Sequence, residues 1–265
     1  GRSLIAAGHN VICALDGRSA HSHALATKGG LRDVGDLKAI VAEADMILSI
    51  LPPAAALGQA TAVAQEMQAA GKFPVYVDCN ALAPETVTVV SKGSAATGAT
   101  CSDAGIIGMP PREGSGPRFY VSGPDQKAMA TLDGKGFQVV GLGDEIGQAS
   151  AIKMAYAGLT KGTWTLHTAV LLAAEKMGVA DALLAEFEMA QSSALAAMRA
   201  RVPYIPADSA RWVGEMEEIA KAFSAGIIGC RFRVGSNRGN MNEASGAGFL
   251  CCLGDSAGAL HVQSI

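Results

Sequence analysis

The chain has 265 residues, 49% of them hydrophobic and 17% charged, with a formal net charge of -3. That length holds two small domains or one large one, with ample apolar material for a core. The weak acidity lacks the basic stripe that nucleic acid requires, and no unbroken apolar run reaches the roughly 20 residues that span a bilayer, so neither is expected as a partner.

Taken in chain order, residues 9–16 read as a buried strand ending in Asp16. Residues 41–51 give a helix end and then the apolar run Met46-Ile47-Leu48-Ser49-Ile50-Leu51, a second strand stopped by Pro52 and Pro53. Residues 54–70 form a helix and residues 74–78 a third strand. Pro84 opens the next helix in its first turn, where proline is tolerated. Residues 99–107, 118–122 and 138–142 are further strands. Strands alternating with helices predict a mostly parallel sheet covered on both faces, with ligands at the carboxyl ends of its strands. From residue 148 the period changes. One helix runs to residue 177, roughly 45 Å long, and Gly178 stops it. A second covers residues 181–201, and a third covers residues 209–223 with Asp208 or Ser209 as its cap.

The fold class is therefore α/β, a Rossmann-like mostly parallel sheet followed by an all-α domain. Residues 1–146 form the nucleotide-binding part and residues 147–223 the helical part. Residues 224–265 lose all period and are expected to be a poorly ordered tail. Residues 1–8 read as a helix already under way. The first strand and its Gly-x-Gly-x-x-Gly turn are missing, so the domain reads as truncated at its N-terminus.

Several motifs resemble, in order, those of the β-hydroxyacid dehydrogenase superfamily, the group of 6-phosphogluconate and 3-hydroxyisobutyrate dehydrogenases. Leu48-Ser49-Ile50-Leu51-Pro52-Pro53 is similar to the strand end beside that family's cofactor. Val77-Asp78-Cys79-Asn80-Ala81-Leu82-Ala83-Pro84 resembles its Asp-x-Ser-Thr-x-x-Pro strand end. Ser102-Asp103-Ala104-Gly105-Ile106-Ile107-Gly108 resembles its substrate-binding turn, and Phe119-Tyr120-Val121-Ser122-Gly123 the strand after it. Gly147 to Lys153 resembles the start of its catalytic helix. The resemblance covers residues 1–223 and departs at three places. Ala157 stands where the family has an asparagine, Ile107 where it has a substrate-binding serine, and Glu215-Met216-Glu217-Glu218 where it has a lysine–aspartate pair.

The resemblance implies an NAD(P)-dependent oxidoreductase acting on a small molecule, with Lys153 as general acid or base; spacing alone would leave Lys153 a surface lysine. Reduction of a C=N or another carbonyl-like bond is the alternative chemistry, and a catalytically silent chain that keeps the fold is a third reading. Leu51, Pro52 and Asn80 would touch the cofactor, although Asn80 could instead cap the helix at Pro84. Asp103, Gly105 and Gly108 would meet the substrate, or form an ordinary glycine-rich turn. Tyr156 would supply a hydroxyl in place of the missing asparagine, or pack against the sheet. Arg18 and Ser19 suit the 2′-phosphate of NADP, whereas Asp16 favours NAD; the resemblance tilts toward NADP. Six cysteines without metal spacing fit a reduced, cytoplasmic chain with no metal, and no secretory signal is expected. Ala-, Leu- and Met-rich helical faces imply a homodimer.

Overall fold

The computed structural model describes residues 1–112, 115–226, 230–235 and 248–253. The chain divides into two compact units, Gly1–Tyr156 and the residues from Ala157 onward.

In the first unit a short helix α1 (Arg2–Ala6) leads to β1 (Ile12–Cys13), α2 (Ala20–Gly29), β2 (Arg32–Asp33) and α3 (Leu37–Glu43). Next come β3 (Met46–Ser49), α4 (Pro53–Ala70), β4 (Val75–Asp78), α5 (Pro84–Ala95) and β5 (Cys101–Ile107). β6 (Arg118–Ser122), α6 (Gln126–Ala130) and β7 (Gln138–Gly141) complete it, together with the first turns of α7 (Gln148–Lys176). The main sheet has five strands in the order β3-β4-β5-β6-β7. All neighbours are parallel except β5 and β6.

Alternation along the strands gives the sheet two apolar faces. Tyr76 and Cys101 join Val63, Met67, Leu82, Val87 and Val90 from α4, α5 and the loop before α5. Val77, Ala104, Phe119 and Val121 join Met129, Leu132 and Phe137 on the opposite face.

The strand expected over residues 9–16 is only Ile12–Cys13. It pairs with β2 in a separate two-stranded sheet, and both its residues are half-buried. A strand bonded to two residues of a single neighbour has no second flank to cover it, so the apolar run stays short and partly wet.

α7 forms without a break through Gly162. It ends as read: Gly178 takes φ +71°, and the Val179 N–H donates to the Ala174 carbonyl. The division expected after residue 146 falls after Tyr156, because the first turns of α7 lie on the sheet. A Cβ built on Gly105 would stand 2.4 Å from the Ala149 carbonyl oxygen and 2.9 Å from Lys153 Cβ. Only a residue without a side chain lets the helix backbone come this close to β5.

The second unit holds the rest of α7, then α8 (Ala180–Ala190), α9 (Ser192–Arg201), a 3-10 turn at Val202–Tyr204 and α10 (Ile205–Gly226). The single helix expected over residues 181–201 is broken at Gln191, whose φ of -141° and ψ of 46° are not helical. Ser192 and Ser193 follow, residues that favour helix starts over interiors. The third helix begins earlier than residue 209, with Pro206 in its first turn. Asp208 is not its cap, since the carboxylate pairs with Arg201 and Arg211. Trp164 and Trp212 stack at 5.4 Å, with the Arg201 guanidinium 4.3 Å above Trp164. Beyond α10, β8 (Cys230–Gly235) and β9 (Gly248–Leu253) form an antiparallel pair. The remaining residues of the expected tail lie outside the described residues.

Gly105→Ala should push α7 off β5. Overpacking against a backbone oxygen predicts a loss of about 1–3 kcal/mol, read as a lower urea midpoint at unchanged slope. An unchanged midpoint would show that the contact is soft.

Candidate active site

Four polar side chains cross the sheet in one row. Ser49 pairs with Asp78, Asp78 with Asp103, and Asp103 with Ser122, on four successive strands. Residues paired in register face the same side. All four are buried. The row lies where β3 and β4 end, while β5 continues past them through Gly105 to Ile107.

Asp103 sits at the centre of this row and binds the start of α7. Its Oδ2 accepts the N–H of Gly147 at 3.1 Å and of Ser150 at 2.8 Å. Its Oδ1 accepts the Ser150 hydroxyl at 2.7 Å. Ser122 Oγ accepts the Ala149 N–H at 3.1 Å and stands 3.4 Å from Asp103 Oδ2, to which it donates. The first N–H groups of a helix have no partner within it; here two strands supply the acceptors. Burial pushes the Asp103 carboxyl above its ordinary range, and the contacts to Ser150, Gly147 and Ser122 pull it back. Lys153 follows within the same turns, with its Cβ against Gly105.

Asn80 ties the ends of β3 and β4 together. Its Oδ1 accepts the Leu51 N–H, its Nδ2 donates to Ser49 Oγ at 3.2 Å, and its own N–H donates to Asp78 Oδ1. It is not the cap of α5, a position that Ala83 holds. Its amide is already engaged in holding the loop at Leu51 and Pro52, with Leu51 half-buried and Pro52 exposed.

The structure thus gathers Leu51, Pro52, Asn80, Asp103, Gly105 and Lys153 around the ends of β3 and β4. The Asp103 carboxylate is engaged by the start of α7, and Gly105 meets the backbone of that helix. Gly108 stands just past β5 at φ +119°, against Pro117. Tyr156 is 53% exposed and does not pack away in a core. Arg18 and Ser19 lie between β1 and α2. Arg18 is exposed, and Ser19 caps α2 by accepting the Ser22 N–H. Sequence reading missed Ser49, Asp78 and Ser122 as members of the row, and Ser150 as the α7 residue that Asp103 holds. The signal was there in polar residues closing apolar runs.

Asp78 Oδ2 is buried with no partner. Burial pushes this carboxyl up to about 6; the Asn80 N–H opposes the shift and the Asp103 charge adds to it. The native state therefore holds this proton more tightly than the unfolded chain does. Its contribution to stability is full below the ordinary carboxylate value of about 4 and is lost as pH rises toward 6. Asp78→Asn removes the titration. From pH 4 to pH 7 the variant should gain on the unmodified chain by about 2 kcal/mol in urea unfolding. A difference independent of pH would refute the shift.

Residues 174–232 match a family model described as a domain of unknown function, DUF1932. Over 168 residues the chain is 27% identical to an uncharacterized 28.5 kDa protein in the 7S RNA 5′ region of Methanothermus fervidus; the match spans 63% of each protein. Among solved structures it is similar to the conserved protein MTH1747, of unknown function and reported to resemble 3-hydroxyacid dehydrogenases. That likeness has a TM-score of 0.65 and 27% identity over 85% of this chain and 84% of the other. A 3-hydroxyisobutyrate dehydrogenase from Salmonella typhimurium has a TM-score of 0.62 at 17% identity, over 84% and 82% of the two chains. An imine reductase from Myxococcus stipitatus, in complex with NADP+, has a TM-score of 0.54 at 16% identity, also over 84% and 82%. The chain thus has the fold of the β-hydroxyacid dehydrogenase superfamily, the group that its motifs resemble.

Proposed function

We propose that the chain is an NAD(P)-dependent oxidoreductase in which Lys153 moves the proton. The observation that carries this is the placement of Lys153 on Gly105, beyond the ends of β3 and β4, where ligands of such sheets bind. A bound nicotinamide nucleotide supplies or accepts the hydride. The half-buried Lys153 gives a proton to the substrate oxygen in reduction, or removes one in oxidation. Leu51 and Pro52, fixed by Asn80, would flank the nicotinamide end. Exposed Arg18 at the start of α2 suits a 2′-phosphate, which favours NADP over NAD.

Ile107 is the observation that favours a second reading. It is buried where the family carries a carboxylate-binding serine. A small anionic hydroxy acid loses a contact there, and a neutral C=N substrate does not. Lys153 would then deliver its proton to nitrogen.

Calorimetric titration with NADP+ and NAD+, then turnover of 3-hydroxy acids and cyclic imines, tests these readings. Lys153→Ala should lower turnover by about 10²-fold or more while nucleotide affinity changes little. Lys153→Arg should not restore it, because guanidinium keeps its proton. Turnover within a few-fold of the unmodified chain would end the assignment.

The helical unit exposes Leu159, Leu166, Leu172, Met177 and Met189. We propose that a second copy of the chain covers these faces. Light scattering at tens of micromolar should give twice the monomer mass; a monomer would refute it.

A further inference from the structure

We infer that Asp103 is a positioning residue: by capping the start of α7 from β5, it fixes where Lys153 stands on Gly105. The inference rests on the reading of Lys153 as the proton-moving group and assigns it a support.

Three observations converge on Asp103. Its side chain is buried, and both its oxygens are directed to α7: Oδ2 to the N–H groups of Gly147 and Ser150, Oδ1 to the Ser150 hydroxyl. Ser122, its register partner on β6, holds the intervening Ala149 N–H. Two residues further along the same face of β5, Gly105 receives the Ala149 carbonyl and Lys153 Cβ. Asp103 and Gly105 are thus the two ends of one clamp, roughly 7 Å apart along the strand. The carboxylate draws the helix start down, and the missing side chain lets the next turn settle. Without the first, nothing on β5 opposes sliding or fraying of α7 at its first turn, and Lys153 moves with it. Small displacements of a reacting group cost large factors in rate.

The chemistry of the clamp separates its shape from its charge. In Asp103→Asn the amide oxygen can accept both N–H groups, and the amide NH2 can donate to Ser150 Oγ, which is able to accept. Asp103→Ala takes the acceptor from all three groups and from the Ser122 hydroxyl.

The experiment compares Asp103→Ala, Asp103→Asn and Ser150→Ala with the unmodified chain, using amide exchange and turnover with NADPH. In Asp103→Ala the Gly147 and Ser150 amides should exchange at least about tenfold faster. Its kcat should fall about 10- to 100-fold, with KM for NADPH within about twofold. Asp103→Asn should recover most of the protection and most of kcat. Ser150→Ala removes one bond and should give a smaller fall in the same direction, which serves if Asp103→Ala does not fold.

The inference is overturned if kcat in Asp103→Ala stays within a few-fold while Lys153→Ala is inactive. It is equally overturned if Asp103→Asn is as impaired as Asp103→Ala, or if the loss lies in the nucleotide KM. If Lys153→Ala itself keeps its turnover, the catalytic reading fails. The exchange rates at Gly147 and Ser150 then still decide whether Asp103 holds the helix.

Discussion

A helix start has unpaired N–H groups, and burying them without acceptors costs more than most packing contacts return. Here α7 begins against a sheet, so its position depends on finding acceptors there. Asp103 and Ser122 are those acceptors. The antiparallel step between β5 and β6 makes the meeting possible. β6 runs back toward the ends of β3 and β4, so Ser122 closes β6 level with Asp103. The Gly123 N–H then bonds the Gly143 carbonyl, which brings the chain after β7 to the same level just before Gly147. An all-parallel continuation would have delivered these residues at the opposite edge.

The row from Ser49 to Ser122 sits in a sheet that packs an apolar cluster on each face. Asp78 is its one member with a carboxylate oxygen left without a partner. Two neighbouring acids in register would repel if both were ionised. Asp103 meets four donor groups, whereas Asp78 meets one N–H at Oδ1. The negative charge is therefore better supported on Asp103, and the proton is better kept on Asp78.

Much of the fold was legible because it rests on local signals. Pro52 and Pro53 close a strand, Pro84 opens a helix, and Gly178 ends one. The apolar period carries α7 through Gly162. What escaped reading depends on distant partners. Asp103 looked like a ligand-facing turn residue because its motif does not reveal which face of β5 it occupies. That is set by pairing with Asp78 and Ser122 and by a helix start 44 residues later. In sequence Asn80 reads as a cap or a cofactor contact. The register of β3 against β4 makes it a bridge to Leu51, in place of a cap. β1 looked buried because apolar residues announce a strand but not its neighbours. The break at Gln191 has no glycine or proline to mark it.

The stacked pair Trp164 and Trp212 has a spectroscopic consequence. These are the only two tryptophans in the chain, and both lie in the helical unit. Indole emission therefore originates wholly in the helical unit. It reports the packing of α7 on α10 and the cations Arg201 and Lys161 beside the rings. Paired with a signal from the sheet, such as the environment of buried Cys79, it would show whether the two units melt together or one after the other.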